Sequence, residues 1–94
     1  RFEITQLEYE KILKTMFSSL EPLRLKQLSP KEKKRVVCLH RIAEVFEPAR
    51  RYTEKEVNEL LTPIFDDFSS LRRELVDYGF VERERDCSAY WRKA

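Results

Sequence analysis

Arg72 and Arg73 stand side by side in SLRRELVDYGFVER, Ser70–Arg83, a segment that also holds the only glycine of the chain. A guanidinium on a helix can pair bidentately with a guanine edge or a phosphate, so nucleic-acid binding is the first chemistry to consider. Nucleophilic and metal chemistry find less material. Cys38, Cys87 and His40 are the thiols and the imidazole present, and their positions match no Cys-x-x-Cys or zinc spacing. There is no glycine-rich phosphate loop and no nucleophile–base pairing. The sequence predicts no enzyme, no metal and no cofactor. Cys38 falls on a core-facing stripe and Cys87 in a turn, so both are expected as free thiols in a reducing, cytoplasmic setting.

Ninety-four residues make one small domain with little margin in its core. At 41% hydrophobic and 38% charged, the chain is globular rather than disordered. No apolar run reaches the length of a membrane span, and no signal-peptide pattern opens the sequence. The net charge of +2 permits nucleic-acid binding without demanding it. Because the chain opens on Arg1, a second domain upstream of Arg1 is an open expectation.

Three helix starts share one device. Thr5-Gln6-Leu7-Glu8, Ser29-Pro30-Lys31-Glu32 and Thr53-Glu54-Lys55-Glu56 each match the capping box, in which a hydroxyl and a glutamate satisfy free backbone N–H groups reciprocally. From Thr5 to Leu20 the residues Tyr9, Ile12, Leu13, Met16, Phe17 and Leu20 recur at helical intervals. Leu23, Leu25 and Leu28 then predict a packed connector. The second helix is expected from Pro30, pre-shaped for a first helical position, to Phe46, with Val36, Cys38, Leu39, Ile42 and Ala43 inward. Arg50-Arg51-Tyr52 suits a very short strand before Thr53 caps a brief third helix with Val57, Leu60 and Leu61 inward.

Asp66 or Asp67 can cap the fourth helix, and Gly79 is placed to end it in the left-handed conformation. Phe80–Glu84 and Ala89–Arg92 then flank a polar turn at Asp86-Cys87-Ser88, as in a hairpin. This order predicts a mainly α, α+β fold: a winged helix-turn-helix over residues 29–94, with the hairpin as its wing. Residues 1–28 form an additional N-terminal helix and connector within the same compact unit.

From Leu25 onward the sequence closely resembles the bacterial domain of unknown function 2087 family. The resemblance lies in RLKQLSPKEKKRVV (Arg24–Val37), FEPARRYTEKEVNELL (Phe46–Leu61), LRRELVDYGFVERE (Leu71–Glu84) and AYW (Ala89–Trp91). It implies a winged-helix transcriptional regulator, in some members placed behind a second DNA-binding domain, and it brings no catalytic residues. Two positions depart from it: Cys87 stands where the wing turn of many relatives is Asp-Gly, and Ala49 where relatives favour glycine. The first departure predicts a wider or differently typed turn. Separately, Ser-Leu-Arg-Arg-Glu-Leu followed by a glycine and a short strand resembles the recognition helix of DeoR-type repressors.

Advancing about 100° per residue from Phe68 puts Leu71, Leu75 and Tyr78 on the core side of the fourth helix. Ser69, Ser70, Arg73 and Asp77 point away, and Arg72 flanks Phe68. Arg73 is thus the candidate for a groove, and Arg72 for a brace or a phosphate contact. Further candidate DNA contacts are Arg83, Arg85 and Arg92 on the hairpin, Lys33 and Lys34 on the second helix, and Arg50 and Arg51 before the third. The lysines also read as a solvated face, Tyr90 and Trp91 as packing rather than stacking platforms, and His40 as structural. Against DNA stands the fourth helix itself, where Asp66, Asp67, Glu74 and Asp77 outnumber Arg72 and Arg73. The expected function is a bacterial transcriptional regulator binding duplex DNA, as a homodimer assembled through the N-terminal helix. The alternative is a protein-interaction or dimerisation module without direct DNA binding.

Overall fold

In the computed structural model, which describes residues 3–94, the Thr5 hydroxyl accepts from the Glu8 amide and starts α1 (Gln6–Met16). Only half of the expected box forms, because the Glu8 carboxylate turns to Lys33 instead. α1 buries Ile12, Leu13 and Met16 and ends there, not at Leu20. Phe17–Leu20 is strand β1, paired antiparallel with β2 (Leu23–Leu25). Phe17, Leu23 and Leu25 are buried, whereas Leu20 is exposed beside the turn at Glu21-Pro22. Counting Leu20 as a helical position overextended the helix; Ser18 and Ser19 are weak helix formers, and the inward residues repeat every second position. The connector packs, as a strand.

α2 (Glu32–Ala43) is shorter than the Pro30–Phe46 expected at both ends. Ser29 makes no capping box: its buried hydroxyl accepts from the Lys31 N–H, two residues on, and Pro30 precedes the helix. At the far end, Glu44, Val45 and Phe46 donate to the carbonyls of Arg41, Ile42 and Ala43, three residues back. That tighter winding carries the apolar pattern on to Phe46 after α-geometry has ended. Val36, expected inward, is half-buried, while Val37 through Leu39 are buried.

The Thr53 box is complete, with Glu56 reaching back to the Thr53 amide at 2.8 Å, and it opens α3 (Glu54–Leu61). Val57 and Leu61 are buried there, and Leu60 is half-buried. Asp67 caps α4 (Phe68–Asp77), and Gly79 follows its end at φ +78°. β4 (Val81–Arg83) and β5 (Tyr90–Arg92) pair antiparallel, and β3 (Arg51–Tyr52) adds to the other side of β5, in the order β3–β5–β4. The architecture is α+β: four helices and two small antiparallel sheets. One hydrophobic core runs from Ile12 and Met16 through Leu39, Phe46 and Leu71 to Tyr90, continuous across residue 28. No described helix is long and apolar enough to cross a membrane.

The two positions where glycine was the family expectation, Ala49 and Cys87, both adopt φ 64°. The loop between β4 and β5 is wider than a two-residue turn: Cys87 donates to the Glu84 carbonyl, and Glu84 to that of Ala89. A side chain in this region costs on the order of 1–2 kcal/mol, of which a glycine returns part as unfolded-chain entropy. Ala49→Gly, at an exposed position, is therefore expected to stabilise the fold by roughly 0.5–1 kcal/mol, read as a rise in the urea midpoint with an unchanged slope. Both cysteines are free, and burial pushes the Cys38 thiol up to about 11.

Candidate functional site

α4 is held against the rest of the chain by its charged residues, which leaves a small outer face uncommitted. Glu74 accepts from Arg35 of α2 at 2.9 Å, with both side chains about three-quarters buried (24% and 22% exposed). Asp66 accepts from Arg24 of β2 at 2.9 Å. Two of the four acids that count against a phosphate-binding role are thus neutralised by cations from outside the helix. Arg72 donates to the Asn58 side chain and lies 3.9 Å from Glu54, so it braces α4 on α3. Helical phase puts it on that flank. Arg73 is exposed and makes no hydrogen bond or ion pair among the described residues, and Ser69 is exposed beside it.

The Ser70 hydroxyl and amide both donate to Asp67, at 2.7 and 3.2 Å, which holds that carboxyl below the usual aspartate range. A depressed folded-state value means the cap stabilises above the unfolded pKa of about 3.9 and is lost as pH falls through the lower folded value. Carboxyl-carbon NMR should show Asp67 titrating below an unfolded reference peptide, with Ser70 amide protection fading over the same range.

The hairpin arginines do not form one free cluster. Arg83 and Arg92 share one face of the sheet with Val81 and Tyr90, as a two-residue period requires, but Arg83 sits at its exposed end. Arg92 donates to the Phe46 carbonyl at 3.1 Å and is half-buried. Arg83 curls onto the turn, donating to the carbonyls of Glu84 and Arg85 and to Cys87 Sγ. Arg85 is exposed and unpaired among the described residues. Between α4 and this hairpin lies a hollow of about 220 Å³, lined by Arg72, Arg73 and Arg83 and, on the acidic side, Glu54 and Asp77.

The family scan matches residues 24–92 to a profile described as "Uncharacterized protein conserved in bacteria (DUF2087)". The chain belongs to that family. No curated protein and no solved structure matches it. In this DUF2087 domain the matched span begins within β2, takes in α2, α3, α4 and the three-stranded sheet, and leaves out α1 and β1.

The other candidates in the DUF2087 domain are mostly bound within the chain. Arg50 pairs with Glu47 at 3.0 Å and lies over Tyr52, and Arg51 pairs with Glu84 at 2.6 Å and lies over Trp91. Lys33 pairs with Glu8, whereas Lys34 is unpaired among the described residues. Tyr90 is buried in the core and donates to Glu54, whereas Trp91 is half-buried, donates to Glu82 and carries Arg51 over its ring. His40 is hydrogen-bonded to Tyr9 at 2.8 Å and stands edge-on to Phe80. Sequence reasoning missed Arg24 and Arg35, whose partners lie 42 and 39 residues away. Nothing local announces such pairs. Among the described residues, no three His, Cys, Asp or Glu side chains are placed to hold a metal ion.

Proposed function

We propose that the domain is a winged helix-turn-helix of a bacterial transcriptional regulator that binds duplex DNA, with α4 as the groove helix and the β4–β5 hairpin as the wing. The strand order β3–β5–β4 beside α3 and α4 supports this reading of the fold. The observation that carries the function is the state of α4: Arg35 and Arg24 neutralise Glu74 and Asp66, while Arg73 and Ser69 remain uncommitted on the outer face. Arg73 and Ser69 take the groove role, and Arg85 and Lys34 the phosphate role. Arg72, Arg92, Lys33, Arg50 and Arg51 act inside the fold.

This footprint is narrower than the sequence suggested, and it sets a number. With about three cations that displace counterions, Arg85, Lys34 and the groove residue Arg73, the log–log salt slope should be about −2.7, or roughly forty-fold in affinity between about 50 and 200 mM salt. Fluorescence anisotropy with a mixed-sequence duplex measures it. A slope near zero would remove the DNA reading. The interaction module is then next, and one observation favours it: Arg50, Arg51 and Arg72 are bound by carboxylates of the same chain, and Arg83 and Arg92 by its backbone carbonyls. The apolar side of α1, the expected dimer contact, is buried in its own core; Leu7 is its one large apolar residue at the surface, 78% exposed.

A further inference from the structure

Residues 62–67, the turn that sets α4 against α3, hand three of their acceptors to a strand from the other end of the chain. Leu25 of β2, itself buried, donates its amide to the Ile64 carbonyl at 2.9 Å. The neighbouring Arg24 divides its guanidinium, with Nη1 donating to the Pro63 carbonyl at 3.3 Å and Nη2 to Asp66 Oδ1 at 2.9 Å. Ile64 is buried beneath these bonds, and the next residue after Asp66 is Asp67, the cap of α4. Behind β2, Lys26 donates to the Met16 carbonyl at the end of α1. α1 in turn is joined to α2 by Glu8–Lys33 and Tyr9–His40.

We propose that Arg24 is a positioning residue: its forked guanidinium clamps the α3–α4 turn to the β1–β2 hairpin, so that α1 and the hairpin set the attitude of α4. Charge alone is not the agent. The Asp66 side chain is 92% exposed, and an ion pair so open to water contributes little. What Arg24 supplies is geometry, since a planar fork can hold a carbonyl and a carboxylate at once and a single ammonium cannot hold them in the same arrangement. A displacement of α1 is thereby passed through β2 to the first turn of α4, the end that carries Ser69 and Ser70. The consequence for duplex binding rests on the function proposed above; the clamp itself does not.

The test compares native-state amide exchange, residue by residue, in the full chain and in Arg24→Ala and Arg24→Lys. Losing one such bond should speed exchange of the Leu25 and Ser70 amides about five-fold in both variants, while Leu39 and Ile42 in α2 keep their wild-type rates. Unchanged rates at Leu25 and Ser70 would overturn the proposal. So would a parallel rise at Leu39 and Ile42, which is what general destabilisation gives, or full rescue by lysine, which would reduce Arg24 to a charge. The same three proteins, titrated with duplex, should show weaker binding in both variants. If the wild type binds no duplex, the function proposed above fails while the exchange pattern still decides the clamp.

Discussion

Arg73→Ala should flatten the sequence preference of the domain at one or two base positions while leaving its fold intact. A bidentate arginine–guanine contact is worth about 1–3 kcal/mol in discrimination, or roughly 5- to 150-fold between the preferred and the substituted base. Arg73 has the attributes for it: an outward phase on α4, an exposed side chain and no partner among the described residues. Arg72→Ala should behave differently, because Arg72 is tied to Asn58 and Glu54. Its removal loosens α4 on α3 and lowers affinity evenly across sequences. Selection from a random duplex library, repeated with each variant, separates the two, and an unchanged preference in Arg73→Ala would take that residue out of the groove.

Phe46→Ala should cost about 3–5 kcal/mol in chemical denaturation, a large share of the 5–15 kcal/mol typical of a small domain. The ring is fully buried and meets Tyr52 edge-to-face at 5.2 Å. The Phe46 carbonyl receives Arg92 from β5, so the site joins the end of α2 to two strands of the sheet. A cavity there has rigid neighbours on several sides and little means of collapse. A loss below about 1 kcal/mol would mean that this junction relaxes far more freely than its packing indicates.

The parts legible in the sequence were those governed by neighbours along the chain. Thr53 and Glu56 close their box three residues apart, Gly79 takes the left-handed turn that only the backbone requires of it, and helical phase separated Arg73 from Arg72. Ala49 and Cys87, where the resemblance implies glycine, both carry positive φ. The misreadings came where two periods agree over a few residues. Phe17 and Leu20 fit a helix as well as a strand until Leu23 and Leu25 supply the second strand. Ser29 has the composition of a cap, but its hydroxyl bonds one residue short of the helix. Arg92 could have been sorted in advance, because it shares the parity of Tyr90 and turns to the core side with it, whereas Arg83 shares that face but lies exposed near the turn. The pairs Arg24–Asp66 and Arg35–Glu74 depend on tertiary placement and leave no local signal.

Two-dimensional NMR of the labelled domain, titrated with its selected duplex at low salt, reads which face meets DNA. The largest shifts should fall on Ser69, Ser70, Arg73 and the hairpin tip at Arg85, with α1 and the β1–β2 hairpin moving little. Shifts centred on α1, or none at saturating duplex, would contradict α4 as the DNA-reading helix.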